Sequence, residues 1–121
     1  MPYLVYNENV FKVGENKKLE FEFVNILNKK FSNIKLNKAT IQSKGDKSDT
    51  DVTKKIKSSD SQYTFDLKDT KKGEYELILE ITSEEKTIIY KREFRVLGNI
   101  KVNKAGLKIS KDLEASFSSV D

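Results

Sequence analysis

The side chains that could perform chemistry in this chain of 121 residues are carboxylates, hydroxyls and amines, because it contains no Cys, His or Trp. That composition removes the thiolate nucleophile, the imidazole base and the usual zinc ligands. A Ser or Thr hydroxyl needs a base to activate it, and no Ser–Lys dyad motif is recognisable. The glycines form no phosphate-cradling pattern. The sequence therefore predicts no catalytic residue, no cofactor-binding residue, no cofactor and no metal ligand.

Two groups of acidic residues are the nearest approach to a functional site. Asp46, Asp49 and Asp51 lie close together, and hard cations need several oxygen ligands. Lysines are interspersed among these acids and the spacing of an EF-hand is absent, so a solvated loop is favoured over a calcium site. Glu84 and Glu85 could in principle perform acid–base chemistry, but their place at a hairpin tip favours a simple turn.

The charge of the chain is high and mixed. Charged residues make up 35% and the net charge is +4, carried almost wholly by Lys with acids interleaved. Nucleic-acid binding would require clustered basic and aromatic residues, and the densest basic group is Lys54, Lys55 and Lys57, with Asp on both sides. The pattern favours a solvated surface and no nucleic-acid partner.

Alternation of apolar and polar residues indicates what elements hold these side chains. A period of two is typical of a strand with one buried face, and it is clearest in residues 18–25, 62–67 and 74–81. Residues 4–6 and 10–13 predict a first, broken strand. A hairpin then leads into a last clear strand at 87–97.

Weaker signals fill the middle of the chain. Residues 28–38 predict a loop with an edge segment, and 39–43 a short strand. Residues 43–51 predict an exposed loop, and Val52 and Ile56 a short, Lys-rich edge strand.

Arg92 interrupts the apolar phase of the last strand. Ile88, Tyr90, Phe94 and Val96 share that phase with it, and a bulge between Tyr90 and Phe94 is one explanation.

About seven short strands with turn signals and no helical period predict an all-β fold, an immunoglobulin-like antiparallel β-sandwich, over residues 1–99. The stretch from Gly73 through Tyr75 to Leu77 is typical of a late core strand, in which the Tyr hydroxyl can bond the backbone as a tyrosine corner. The Cys–Trp–Cys core of antibody domains is absent. Residues 100–121 predict a final strand passing into an interdomain linker.

No run approaches the roughly 20 apolar residues that span a bilayer, and residues 1–4 lack the features of a signal peptide. These observations leave a cytosolic protein or an excised fragment, and we favour the fragment. Without Cys, the redox compartment stays open.

Residues 12–116 resemble the lumenal region of the ribophorin II family, the delta-type accessory subunits of the oligosaccharyltransferase complex. The residues that carry the resemblance are 71–81, 91–96 and 100–115, and residues 19–31 are similar in layout. The resemblance implies a non-catalytic domain in the endoplasmic reticulum lumen that supports protein N-glycosylation. Its partners would be other oligosaccharyltransferase subunits, and its membrane attachment would lie outside this chain.

Two other classes of function stay open. A Lys- and Asn-rich composition is shared with immunoglobulin-like spacers of bacterial surface or adhesin proteins, and an enzyme is disfavoured by the missing chemistry. Contact with other subunits or domains is the predicted mode of action. The candidate contact surfaces are the Lys-rich edge at 52–57 and the strand at 87–97, where Arg92 and Arg95 would pair with acids of a neighbour.

Overall fold

The computed structural model describes residues 1–12, 17–31 and 33–98, and within these ranges the chain forms two β-sheets and no α-helix. The predicted all-β sandwich is therefore confirmed. The strands are β1 (Tyr3–Tyr6), β2 (Val10–Lys12), β3 (Lys18–Val24), β4 (Ile34–Ser43), β5 (Asp49–Asp51), β6 (Lys57–Ser59), β7 (Gln62–Asp66), β8 (Gly73–Ser83) and β9 (Lys86–Leu97). A single 3-10 turn, Thr53–Lys55, lies between β5 and β6.

The first strand changes sheets at its break. One sheet has the order β1-β3-β7-β6 and the other β2-β9-β8-β4-β5. β1 pairs antiparallel with β3, and after residues 7–9 the chain joins the other sheet, where β2 pairs parallel with the end of β9. The predicted broken strand is confirmed, and we call residues 7–9 the crossover.

The core lies between the sheets and is built from the inward phase of the long strands. Aromatic rings pack edge to face at its centre, with the centroids of Phe21 and Phe23 6.1 Å apart, and Phe21 also stacks on Tyr63 at 5.1 Å. The buried apolar residues of three of the strands are Leu19, Phe21 and Phe23 in β3, Leu77, Leu79 and Ile81 in β8, and Phe94 and Val96 in β9. Alternation thus lets a chain with few apolar residues fill a core.

The middle of the chain departs from the prediction, because β4 is a ten-residue strand that begins at Ile34 within the predicted loop. Its register with β8 shifts between Leu36 and Lys38. The shift places Ile34 and Leu36 in one sequence phase and Ala39 and Ile41 in the other, so the alternation that marks a strand is broken at Asn37.

Two further predictions in this region are wrong in part. The predicted exposed loop 43–51 ends in β5, whose residues are all exposed and are held by pairing of Thr40 with Asp51 and Gln42 with Asp49. The predicted edge strand at Val52 and Ile56 is instead a buried Val52 followed by the 3-10 turn, and the edge strand is β6. The strand and linker predicted for residues 100–121 lie outside the described residues.

Candidate contact surface

The acidic residues considered for metal binding act as acceptors in turns. The Asp46 carboxylate accepts hydrogen bonds from Ser48 N at 3.0 Å and Ser48 Oγ at 2.7 Å, and these bonds lower the pKa of Asp46. Asp51 accepts from Thr53 Oγ1 at 2.6 Å and Thr53 N at 2.9 Å, which lowers the pKa of Asp51 in the same way. Among the described residues, no three or more acids are grouped as metal ligands would be.

The remaining polar candidates are spread over the surface. Glu84 and Glu85 form the two-residue turn between β8 and β9, with φ of 51° and 66°. The basic residues Lys54, Lys55 and Lys57 are all exposed, in the 3-10 turn and in β6. The structure therefore gives these side chains a place in turns and edges.

Arg92 lies inside the sandwich, which corrects two sequence-based expectations. The register between β8 and β9 runs without a shift from Gly73–Val96 to Ser83–Lys86, so the bulge expected between Tyr90 and Phe94 is absent. Arg92 consequently points inward with its apolar neighbours and is only 1% exposed. It cannot pair with acids of a neighbouring protein, whereas Arg95 remains on the outer face, 3.9 Å from Glu74.

Oxygen atoms of the crossover accept hydrogen bonds from the guanidinium of Arg92. Its Nη1 donates to Glu20 O at 3.1 Å, and its Nη2 donates to Asn7 Oδ1 at 3.2 Å and to Glu8 O. The ring of Tyr6 lies 4.1 Å from the guanidinium carbon, a distance suited to a cation–π contact. Its Nε has no hydrogen-bond partner in the part of the chain that the structure describes.

Asn7 completes this cluster and connects it to the other sheet. Its Oδ1 also accepts from Glu20 N at 3.1 Å, and its Nδ2 donates to Lys18 O at 3.1 Å. Burial lowers the pKa of Arg92 to about 10, because removal from water disfavours the charged guanidinium. The cluster therefore ties β9, the crossover and β3 together, and its role is structural.

The exposed apolar side chains concentrate beside this cluster. Six of the eight large apolar residues that are exposed among the described ones lie in the N-terminal strands or in β9: Met1, Tyr3, Val5, Tyr6, Val10 and Ile89. The other two, Ile26 and Leu27, lie in the turn after β3. We call the lateral side of the sandwich formed by β1, β2 and β9 the crossover surface; Tyr3, Val5, Tyr6, Val10 and Ile89 are exposed on these strands.

The backbone of β9 is open at this surface along residues 86–94, which include the whole first half of the strand. β9 pairs with β8 throughout, but β2 covers only Arg95–Leu97 on its other side. Within the described ranges, no strand pairs with residues 86–94 on that side. An unpaired strand edge is a template for pairing with another chain.

The opposite side of the sandwich has a groove of about 680 Å³. Its floor includes the apolar residues Ile41, Val52 and Phe65, which are each 7% exposed or less, and the partly buried Tyr75. Its rim alternates in charge and is formed by Asp46, Lys55, Lys57, Asp66, Lys68, Asp69 and Lys71. Tyr75 closes one end by donating its hydroxyl to Lys71 O at 2.5 Å, the bond expected of a tyrosine corner.

Comparisons with known proteins add a weak likeness to a solved structure. No family model matches the chain, and no curated protein matches it. A solved structure of the endo-beta-1,4-mannanase from Thermotoga petrophila is similar over 82% of this chain and 20% of that one, at 14% identity and a TM-score of 0.48. This likeness is too slight to support an argument about function.

Sequence reasoning located one part of the crossover surface and missed the rest. It selected the strand at 87–97 as a contact candidate, but for its arginines instead of Ile89. The signal for a buried Arg92 was present, because Arg92 shares the phase of four apolar residues. The gathering of Tyr3, Val5 and Ile89 depends on the sheet change of the first strand, which no local pattern encodes.

Proposed function

We propose that this chain is a non-catalytic, immunoglobulin-like module that works by contact with other protein subunits or domains. The crossover surface is the observation that supports this proposal most directly. It has an open strand edge that carries the exposed Ile89, and an open edge is a template for pairing with another chain. An ordinary protein interface buries about 800 Å² on each partner.

The strand order supports the immunoglobulin-like assignment. Constant-type immunoglobulin domains have strands A, B, E and D in one sheet and C, F and G in the other. Named in the same way, the sheet β1-β3-β7-β6 has the order A-B-E-D, and β9-β8-β4 has the order G-F-C. The Tyr75 corner bond lies at the start of β8, the equivalent of strand F.

The sequence resemblance supports a setting for the module. In that setting it is a lumenal domain of an accessory subunit of the oligosaccharyltransferase complex, in the endoplasmic reticulum, and it supports N-glycosylation by contacting the other subunits. Membrane attachment would come from regions outside this chain. The described ranges contain no helix that is long and apolar enough to cross a membrane.

A second setting is a spacer in a bacterial surface or adhesin protein, whose Lys- and Asn-rich composition this chain shares. The Tyr90 hydroxyl donates to Pro2 O at 2.5 Å, which places Pro2 beside the middle of β9. Leu97 lies seven residues or about 23 Å further along that strand. Pro2 and Leu97 therefore lie at separated points of the sandwich, a spacing that suits modules joined end to end.

Co-purification separates the two settings. The full-length protein would be tagged in its source cells, isolated under mild conditions and analysed by mass spectrometry. Recovery of the catalytic oligosaccharyltransferase subunit is expected for the accessory-subunit setting. A protein found on the cell surface without glycosylation machinery would overturn that setting and support the spacer.

Contact as the mode of action has its own test. Ile89→Lys places a charge in the crossover surface, and Ile26→Lys makes the same change at an exposed residue elsewhere. The expected result is that Ile89→Lys reduces the recovery of partners while Ile26→Lys retains them. Equal recovery with both variants would show that the crossover surface is not the contact site.

A further inference from the structure

We propose that the open half of β9 pairs with the same strand of a second copy, in antiparallel register about Ile89. Self-pairing does not depend on which larger assembly the module serves. It rests on the direction of the backbone groups, the lack of protection at this edge and the complementarity of β9 with itself.

The direction of the backbone groups follows from a single bond. Arg95 N donates to Asn9 O at 2.8 Å, away from β8. Because N–H and C=O groups alternate in direction along a strand, and β9 has no register shift against β8, the same groups of Thr87, Ile89 and Lys91 also point away from β8. These three residues therefore present donors and acceptors to an incoming strand.

The other described edges are protected in ways that this one is not. β5 and β6 are only three residues long, and each carries charge, at Asp49 and Asp51 or at Lys57. Short, charged strands resist pairing with another chain. β1 is four residues long and is preceded by Pro2, which has no backbone N–H to donate. The open half of β9 is longer, and Ile89 on it is 59% exposed.

A second copy fits this edge because the strand is complementary to itself. When Ile89 faces its counterpart, Thr87 faces Lys91 of the other copy, and Ile88 faces Tyr90. Aromatic and β-branched residues are favourable cross-strand pairs, and no like charges are opposed between residues 87 and 91. Lys86 faces Arg92 of the other copy, but the Arg92 side chain points into its own sandwich. Three pairs of outward-pointing residues would form about six backbone hydrogen bonds.

Moving the register by two residues removes these pairings. In one direction Ile89 meets Lys91 and Ile88 meets the buried Arg92; in the other, Ile89 meets Thr87 and Lys86 meets Tyr90. The matched register ends at Lys86, because Glu85 belongs to the turn, and before Arg95, where β2 already pairs. A stretch this short buries less than a standard interface, so the dimer is expected to be weak.

Cysteine cross-linking reports the register, since the full chain contains no Cys. Ile89→Cys is expected to form a disulfide-linked dimer under mild oxidation much faster than Ser58→Cys, an exposed position on β6. Differently tagged Thr87→Cys and Lys91→Cys chains are expected to cross-link with each other more readily than with themselves. Cross-linking of Ile89→Cys at the rate of Ser58→Cys would overturn the proposed register.

Sedimentation of the Cys-free full chain measures the association without cross-linking. A concentration-dependent dimer is expected, and Ile89→Lys is expected to weaken it by at least about tenfold, because it brings two like charges together on the axis. Ile26→Lys adds the same charge elsewhere and is expected to leave the dimer unchanged. A chain that stays monomeric up to about 1 mM would overturn the proposal. Since neither experiment contains another protein, their failure leaves the co-purification result intact.

Discussion

The crossover surface and the groove are the two lateral sides of one sandwich, and they are completed by opposite means. At the groove, apolar residues such as Val52 and Phe65 are buried and the charged side chains stand at the rim. At the crossover surface a cation, Arg92, is buried, while Tyr3, Val5 and Ile89 are exposed. The difference shows that apolar side chains can stay exposed on a strand when hydrogen bonds to a buried cation, instead of apolar burial, hold that part of the chain in place.

The edges of the sheets follow the same division. On the groove side, β5 and β6 are short and charged, which discourages pairing with other chains. On the crossover side, the first strand leaves its sheet after Tyr6, and its continuation covers only the end of β9. We therefore expect contacts with other proteins to form on the crossover side and the groove to stay solvated.

The largest expected effect comes from removing the buried cation. Arg92→Met removes the hydrogen bonds that the guanidinium donates to the oxygens of Asn7, Glu8 and Glu20, and each hydrogen bond from a charged donor contributes about 1.5–3 kcal/mol. Because the variant also removes the cost of burying a charge, we expect a net loss of about 3 kcal/mol in the free energy of unfolding, measured by urea denaturation. Amide exchange at residues 3–12 should accelerate most.

Arg95→Met is the matched control for this variant. Arg95 lies on the outer face of the same strand, and its ion pair with Glu74 is long, so a loss below about 0.5 kcal/mol is expected. If Arg92→Met proved as stable as the native chain, the desolvation of Arg92 would outweigh its hydrogen bonds, and the cluster would not anchor the crossover.

Two tyrosine hydroxyls allow the two sides to be loosened separately. Tyr90→Phe removes the bond to Pro2 O beside the crossover surface, and Tyr75→Phe removes the bond to Lys71 O at the groove. Each variant should lose about 1 kcal/mol, the usual contribution of one hydrogen bond. Hydrogen exchange should rise near residues 2–6 in the first variant and near 67–72 in the second. Changes spread evenly over both regions would contradict this separation.

Alkaline pH tests the same two bonds without mutation. Burial raises the pKa of both Tyr75 and Tyr90 above the ordinary value of 10.0. An acid with a raised pKa in the folded state contributes stability below the unfolded pKa, and this is lost as pH rises through the folded pKa. The free energy of unfolding, measured by urea denaturation from about pH 8 to about pH 11, should therefore decline above pH 10. This decline should be smaller in the Tyr75→Phe, Tyr90→Phe double variant.

Arg92 contributes to this pH range with the opposite sign. Its pKa falls on folding from the ordinary value of an arginine to about 10, so the unfolded chain holds more protons between these values, and the free energy of unfolding rises with pH there. Above pH 10, the free energy of unfolding of Arg92→Met should consequently decline more steeply with pH than that of the native chain. An identical slope in the two proteins would show that Arg92 does not titrate in this window.

The strands that sequence could predict are those whose alternation is unbroken, such as β3, β7 and β8. It predicted only the second half of β4, residues 39–43, because the register shift at Asn37 moves the apolar residues of this strand from one phase to the other. Nor could it predict β5, which has three polar residues and is held by backbone pairing alone. Tyr75 was predicted as a corner because its role is local, whereas the crossover surface depends on pairing between residues more than 80 positions apart, such as Pro2 and Tyr90.

The smallest expected effect concerns the turns that end the two sides. The turn between β8 and β9 holds Glu84 and Glu85 at positive φ, and the turn between β6 and β7 holds Asp60 and Ser61 at φ of 53° and 65°. A left-handed backbone costs a non-glycine residue about 1–2 kcal/mol. Glycine relieves this but loses about 0.5–1 kcal/mol more chain entropy on folding, so Glu85→Gly should gain about 0.5 kcal/mol.

A matched substitution separates backbone relief from loss of charge at this turn. Glu85→Ala removes the same carboxylate but keeps the Cβ that makes positive φ unfavourable, so it should give no gain in thermal or urea denaturation. Ser61→Gly should gain about as much as Glu85→Gly, because the two positions have the same backbone conformation. If Glu85→Ala stabilised the chain as much as Glu85→Gly, repulsion of the charge would be the cause. A gain from Glu85→Gly alone would mean that only the crossover side, where this turn begins the open strand, stores strain in its hairpin.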